Sequence, residues 1–162
     1  GRKLIMDHGS LAHIDLLNPE SVGEIKLTGP DASAPLSIDP NILSTANDMA
    51  MGRAAIRAVR NIFAQSPFDP FRGEELAPGA NIQSDDELDA YLRATAISDI
   101  HAVGTCRMGH DPMAVVEPQP AVRGIAGRRV VDASVMPRVP GGNTNVPTMM
   151  VAEKAADMIL KA

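Results

Sequence analysis

The last third of the chain contains three conspicuous segments: His101-Ala-Val-Gly-Thr-Cys-Arg-Met-Gly109, Gly127-Arg-Arg-Val-Val-Asp-Ala-Ser-Val-Met-Pro137 and Asn143-Thr-Asn-Val-Pro147. The first has two glycines and no regular apolar period, so it predicts a loop. The second predicts a short strand, Arg128–Val131, which is followed by the carboxylate of Asp132. The third places Pro147 at the favoured first position of a helix. These segments together predict a loop, a strand and a final helix.

The first half of the chain contains strand and helix signals. Short strands are predicted at 11–17, at 24–28, where polar and apolar residues alternate as in a half-buried strand, and at 36–38. Ser44 or Thr45 is predicted to cap a helix of about twenty residues, whose apolar residues follow helical spacing and which Pro67 ends.

A second helix is predicted over 85–96, because Ser84 and Glu87 form a capping box ahead of apolar residues. Residues 98–113 are predicted to be a loop, and 115–131 to hold short strands broken by proline and glycine. Helices and strands do not alternate as βαβ units would. The sequence therefore predicts an α+β fold with a mostly antiparallel sheet and flanking helices.

The composition narrows the functional class. The chain has 162 residues, a net charge of −5 and no cluster of Lys or Arg, which argues against nucleic-acid binding. No apolar run approaches the roughly 20 residues of a membrane span. The single Cys106 excludes an internal disulfide, so a reducing, cytoplasmic environment is expected. No metal site is predicted.

Three polar residues could carry chemistry, and each also has a structural interpretation. His101 offers an imidazole, the usual group for removing a proton from an alcohol, although a lone loop histidine is often structural. Asn143 and Asp132 could equally be turn or capping residues. The start of the final helix would favour a negatively charged group, as helix N-termini do in general.

The three segments resemble the C-terminal signature of the glucose–methanol–choline family of FAD-dependent alcohol oxidoreductases. His101 occupies the base position of the motif His-x-x-Gly-Thr-x-x-Met-Gly, with Ala102 where the family usually has Pro. The resemblance implies that His101 takes the hydroxyl proton and that Asn143 holds the substrate oxygen. Asn145 is the alternative to Asn143 if the register differs by two.

The resemblance also implies an FAD site. Asp132 and Ala133 would approach the ribityl and pyrophosphate groups, and the backbone around Thr144 and Asn145 would contact the pyrimidine edge of the flavin. A hydride would pass from the alcohol carbon to the flavin. The expected activity is oxidation of a primary or secondary alcohol, a small molecule. Two alternatives remain open: a hydroxynitrile lyase that uses no redox chemistry, and a stand-alone binding module.

Nothing in the chain matches the Gly-x-Gly-x-x-Gly turn with which the family begins its cofactor domain. Residues 1–126 are therefore expected to be a portion of the substrate-binding domain, and 127–162 a strand and helix that belong to the FAD domain. The N-terminal FAD domain would be absent, so the chain alone is expected to be inactive. A homodimer could cover apolar surface left open.

Overall fold

The computed structural model of the protein describes residues 8–161 and has an α+β fold, as predicted. A two-stranded antiparallel sheet and three helices follow one another along the chain. The chain divides into two compact units. One contains Thr45–Ala96 and the described residues before Leu17, and the other contains Leu17–Ser44 and the described residues from Ile97 onward.

The first unit is built on helix α1, Ala46–Phe63, which begins where the sequence predicts. Thr45 is the N-cap, and its hydroxyl accepts a hydrogen bond of 3.1 Å from the Asp48 N–H. The helix ends at Phe63, four residues before Pro67, so the prediction that this proline ends it is wrong. Pro67 instead lies in a short 3-10 turn, Ser66–Phe68.

Helix α2, Asp85–Thr95, packs against α1. The predicted capping box is present: the Ser84 hydroxyl accepts from the Glu87 N–H, and the Glu87 carboxylate accepts from the Ser84 N–H. The helices approach closely where Gly52 of α1 meets Leu92, since a Cβ at Gly52 would lie 2.9 Å from the Leu92 Cδ1. Leu88 is fully buried, so the apolar face predicted for α2 forms part of the core.

The second unit begins with strands β1, Glu24–Lys26, and β2, Ser37–Asp39, which pair antiparallel with Ile25 opposite Ile38. Both isoleucines are exposed, so the half-buried strand expected here has no covered face among the described residues. The strand predicted at 11–17 is not formed. An apolar run does not define a strand by itself, because a strand needs a partner for its N–H and C=O groups.

Residues 108–131 form loops joined by isolated bridges between single residues. Val116 bridges to Met108 and to Val122, and Ala121 bridges to Arg129. The strands predicted over 115–131, including Arg128–Val131, are therefore reduced to single bridges. The prolines and glycines in this segment explain the difference, because proline donates no N–H to a strand ladder.

The chain ends in helix α3, Asn145–Leu160, with Thr144 as its N-cap. Pro147 is thus the third helical residue and not the first, which corrects the predicted start by two residues. Proline is tolerated here because the first N–H groups of a helix have no intrahelical acceptor. The helix contacts a 3-10 turn, Ala133–Val135, and Ala155 of α3 and Val135 of the turn are both buried.

Within residues 8–161 there is no helix with both the length and the apolar character needed to cross a membrane.

Candidate active site

His101 lies at the start of the loop that precedes the short bridges and contacts the first residue ahead of α3. Its Nδ1 is 3.0 Å from the Oγ1 of Thr144, a hydrogen-bond distance. The imidazole is half-buried, whereas Thr144 is only 9% exposed. The other ring nitrogen, Nε2, is 3.7 Å from the Oδ2 of Asp99, whose side chain is exposed. The ring therefore has a buried hydroxyl on one side and an exposed carboxylate on the other.

The backbone just before His101 has an unusual conformation. Ile100 has a φ of 62°, in the left-handed region that a β-branched residue rarely adopts, and its side chain is 90% exposed. Strain of this kind is typically found near functional sites. Ile100 lies between Asp99 and His101, and its backbone conformation allows the Asp99 carboxylate to approach Nε2 of the His101 ring.

The loop that carries His101 is anchored to the turn that follows Asp132. The Cys106 N–H donates to the Ser134 carbonyl at 3.1 Å, and the Met108 N–H donates to the Val135 carbonyl at 2.8 Å. Gly104 has a φ of 91°, which favours glycine at this position of the loop. Two of the segments singled out in the sequence are thus hydrogen-bonded to each other.

An ion pair fixes the far end of this loop. Arg107 donates from both terminal nitrogens to the carboxylate of Asp111, at 2.7 and 2.6 Å. These hydrogen bonds, and one from the Met113 N–H, hold the pKa of the Asp111 carboxyl well below its usual range. The loop from His101 to Gly109 is therefore held at both ends by polar contacts.

Asp132 caps a turn in this structure. Its Oδ1 accepts from the Ser134 N–H at 2.8 Å and from the Ser134 hydroxyl, and so begins the turn Ala133–Val135. This is the capping interpretation that the sequence left open. Asp132 is exposed and Ala133 is partly buried, and a contact of either residue with a cofactor stays a prediction.

Asn143 and Asn145 flank the residue that contacts His101. Both are exposed, and neither side chain makes a hydrogen bond within the described part of the chain. Thr144, which was predicted to act through its backbone, contacts His101 through its hydroxyl. The structure therefore brings the neighbour of Asn143 to the predicted base, and the role of Asn143 itself stays a prediction.

The start of α3 fits a group that carries negative charge. Thr144 makes no side-chain capping bond, and the first turn of α3 contains no acidic residue. Of the next three residues only Asn145 and Val146 carry an N–H, since the third is Pro147. These N–H groups have no intrahelical acceptor, and the helix dipole adds partial positive charge. An electron-rich ring edge such as that of FAD would match these donors.

Sequence reasoning missed two contributions to this site. The sequence gives no sign of the role of the Thr144 hydroxyl, because a threonine next to a helix start usually caps its own helix. Asp99 lies outside the motif that begins at His101. Its proximity to the His101 ring depends on the left-handed backbone at Ile100. No sequence pattern predicts that conformation for an isoleucine.

The chain matches known proteins over most of its length. The family model described as GMC oxidoreductase matches residues 19–152. The chain belongs to the GMC oxidoreductase family. This agrees with the resemblance noted in its last third.

Two similar curated proteins are choline dehydrogenases. The chain is 46% identical to the oxygen-dependent choline dehydrogenase of Proteus mirabilis over 98% of this chain and 29% of that protein. It is 46% identical to the mitochondrial choline dehydrogenase of Homo sapiens over 96% of this chain and 28% of that protein. The chain thus spans less than a third of the length of these GMC relatives.

A similar solved structure is pyridoxine 4-oxidase from Mesorbium loti, with a TM-score of 0.85 and 34% identity over 90% of this chain and 28% of that one. A fungal aryl-alcohol oxidase gives a TM-score of 0.78 and 33% identity, over 90% of this chain and 24% of that one. The GMC oxidoreductase chain therefore shares the fold of the corresponding part of these oxidases.

Proposed function

We propose that this chain supplies the proton-accepting residue and part of the flavin site of an FAD-dependent oxidoreductase acting on a CH–OH donor. Two findings in one chain carry the proposal: similarity to choline dehydrogenases over almost its whole length, and a half-buried histidine, His101, whose Nδ1 lies 3.0 Å from the N-cap residue of α3. The proposed activity is that of a longer protein, because the relatives extend well beyond the matched segment.

His101 would act as the base. Its Nδ1 is engaged by Thr144, so Nε2 is the nitrogen left to accept the proton of a substrate hydroxyl. A positive charge would then form on the imidazole, and the Asp99 carboxylate at 3.7 Å would stabilise it by Coulomb attraction. Asn143, which is exposed beside Thr144, would donate an amide N–H to the substrate oxygen as charge develops on it.

FAD would be held through the N–H groups at the start of α3 and through the segment Asp132–Ala133. When bound, the flavin supplies the acceptor for the hydride that leaves the alcohol carbon. Asn145 and Val146 would donate hydrogen bonds to the electron-rich edge of the ring, where the helix dipole also favours negative charge. The residues of this chain would thereby bind the flavin, orient the substrate and accept its hydroxyl proton. The hydride would pass to the cofactor.

The proposed substrate class is a small primary or secondary alcohol. Choline is the first compound to assay, because the similar dehydrogenases are named for it. Pyridoxine and an aryl alcohol are the next, since two similar solved structures are oxidases named for those compounds. An assay that follows flavin bleaching without oxygen separates oxidation from a lyase reaction, which would release an aldehyde from a cyanohydrin without bleaching.

The decisive variant is His101→Ala in the full-length, flavin-bound enzyme. The rate of flavin reduction by the alcohol should fall by about 10² to 10⁴, which is the usual contribution of a general base, while FAD stays bound. Stopped-flow absorbance measures the rate, and the bound-flavin spectrum checks the cofactor.

His110→Ala is the matched control, because His110 lies in the same region, is exposed, and has no proposed role. It should reduce flavin at the rate of the unsubstituted enzyme. Reduction by His101→Ala at close to that same rate would overturn the assignment of His101 as the base.

A further inference from the structure

The hydroxyl of Thr144 is directed at a ring nitrogen and not at its own helix. Thr144 is the N-cap of α3, where a threonine ordinarily accepts a hydrogen bond from an N–H of the first turn. No such side-chain bond is made, and Oγ1 lies 3.0 Å from His101 Nδ1 instead. The Thr144 hydroxyl therefore makes no capping hydrogen bond to α3 and instead contacts His101, which lies 43 positions away in the sequence.

The backbone of Thr144 is held independently of this contact. Its carbonyl accepts from the Thr148 N–H at 2.9 Å and from the Thr148 hydroxyl at 2.7 Å. The residue is only 9% exposed, and a threonine side chain has few rotamers. The position of Oγ1 is therefore set by α3, and the imidazole of His101 must orient with respect to it.

The two nitrogens of His101 have different surroundings, and this decides which one can serve as a base. Nδ1 faces the buried Thr144, whereas Nε2 faces the exposed Asp99 at 3.7 Å, beyond hydrogen-bond distance. In a neutral imidazole one nitrogen carries the proton and the other a lone pair, and the hydrogen bond at one nitrogen selects the state of the other. A reactive lone pair must be at the accessible nitrogen, which is Nε2.

We infer that Thr144 is a positioning residue for His101, because its hydroxyl accepts a hydrogen bond from Nδ1–H and keeps the lone pair of the imidazole on Nε2. This inference rests on the proposed function for its catalytic meaning, but the hydrogen bond and the tautomer can be measured without it. Without the hydroxyl, Nδ1–H would have no acceptor at Thr144, and the Asp99 carboxylate would favour the opposite tautomer with the proton on Nε2.

The first test is the tautomer of His101 in the 162-residue chain, measured by long-range correlation of the ring protons and nitrogens in ¹⁵N-labelled protein. Signals that disappear in His101→Ala identify the residue among the four histidines. The neutral ring should carry its proton on Nδ1 in the unsubstituted chain and in Thr144→Ser, which keeps the hydroxyl. In Thr144→Val, of similar shape but without the hydroxyl, the Nε2–H form should gain population.

Two results would overturn the inference. One is a proton on Nε2 in the unsubstituted chain, and the other is an identical His101 spectrum in Thr144→Val. Circular dichroism checks that Thr144→Val is folded. If Thr144→Val does not fold, the unsubstituted chain and Thr144→Ser still test the inference, because His101 must carry its proton on Nδ1 in both.

A kinetic test in the full-length, flavin-bound enzyme separates this inference from the proposed function. Thr144→Val should slow flavin reduction by about 10-fold to 10²-fold, as expected for a misplaced catalytic group, with little change in KM, and Thr144→Ser should restore most of the rate. If Thr144→Val reduces flavin at the unsubstituted rate while His101→Ala is inactive, the positioning role of Thr144 is wrong and the assignment of His101 as the base still holds. Full activity in His101→Ala overturns the proposed base, and the tautomer measurement then stands by itself.

Discussion

At the scale of single residues, Ile100, which directly precedes the candidate base His101, adopts a backbone conformation that isoleucine normally avoids. An isoleucine with a φ of 62° costs about 1–3 kcal/mol relative to a relaxed backbone. Its side chain is 90% exposed and recovers little of this cost by burial. The strain is therefore balanced by the contacts around it, which include the hydrogen bond between His101 and Thr144.

Replacing Ile100 with glycine should relieve this strain. Glycine adopts a positive φ readily but loses about 0.5–1 kcal/mol through its greater freedom in the unfolded chain. The free energy of unfolding should therefore rise by about 1 kcal/mol, as measured by urea denaturation. Ile97→Gly is the matched control, since Ile97 is 66% exposed and has no positive φ, and it should lower stability. Equal destabilisation by both variants would contradict the strain argument.

The same scale shows what the sequence could and could not predict about the site. His101 and the segment Asn143–Asn145 were predicted from a motif, and the structure places the histidine against the middle residue of that segment. The direction of the Thr144 hydroxyl was not predictable, because the capping bond to its own helix is the local alternative. Asp99 could not be found either, since its approach to the ring follows from the unusual backbone at Ile100.

At the scale of secondary structure, helices were predicted better than strands. Thr45 and the pair Ser84 and Glu87 specify α1 and α2 through contacts within four residues, so the chain nearby contains the whole signal. Strands depend on partners far away in the sequence, and the run 11–17 has none among the described residues. The start of α3 was placed two residues late, because proline is tolerated at several positions of a first helical turn.

The capping box of α2 should make the first unit sensitive to acid. Hydrogen bonds from the N–H groups of Ser84 and Gln83, and from the Ser84 hydroxyl, lower the pKa of the Glu87 carboxyl. A carboxyl whose pKa is lower in the folded state contributes stability above its unfolded pKa. That contribution is lost as the pH falls through the folded pKa, when the carboxylate becomes protonated and no longer accepts these bonds.

Glu87→Gln should therefore reduce the dependence of the thermal midpoint on pH in the acid range, and it should be less stable than the unsubstituted chain at neutral pH. Asp86→Asn is the matched control: it removes a charge from the same turn, but the Asp86 side chain makes no hydrogen bond with the described residues. Thermal unfolding followed by circular dichroism at several pH values compares the three proteins. An unchanged acid slope in Glu87→Gln would contradict the role of this carboxylate.

At the scale of the whole molecule, α3 has more apolar surface than the described residues cover. Val146, Met149 and Met150 are 58%, 52% and 66% exposed, and they lie within one turn of each other. The relatives are more than three times as long as the matched segment. Coverage of this face by a cofactor domain, or by a second copy of the chain, stays a prediction, as do the domain boundary at 126/127 and the homodimer.

The proposed function predicts that this chain retains little FAD by itself, because the N–H groups at α3 and the Asp132 turn would form only part of the cofactor site. After incubation with FAD and desalting, the purified chain should show no flavin absorbance in the visible range. A sample of FAD passed through the same column without protein gives the background. A stable flavin spectrum with the chain would mean that these residues alone hold the cofactor, and the proposed division of the site would be wrong.

The small sheet has a consequence for the chain in solution. β1 and β2 have open edges within the described residues and present Ile25 and Ile38 side by side on an uncovered face. Open edges can recruit strands from other molecules and begin fibrillar aggregation. Glu24 and Lys26 flank Ile25 on the same strand and form an ion pair, and charges in this position discourage such stacking. These two charged residues would thus discourage the open edge of β1 from pairing with a strand of another molecule.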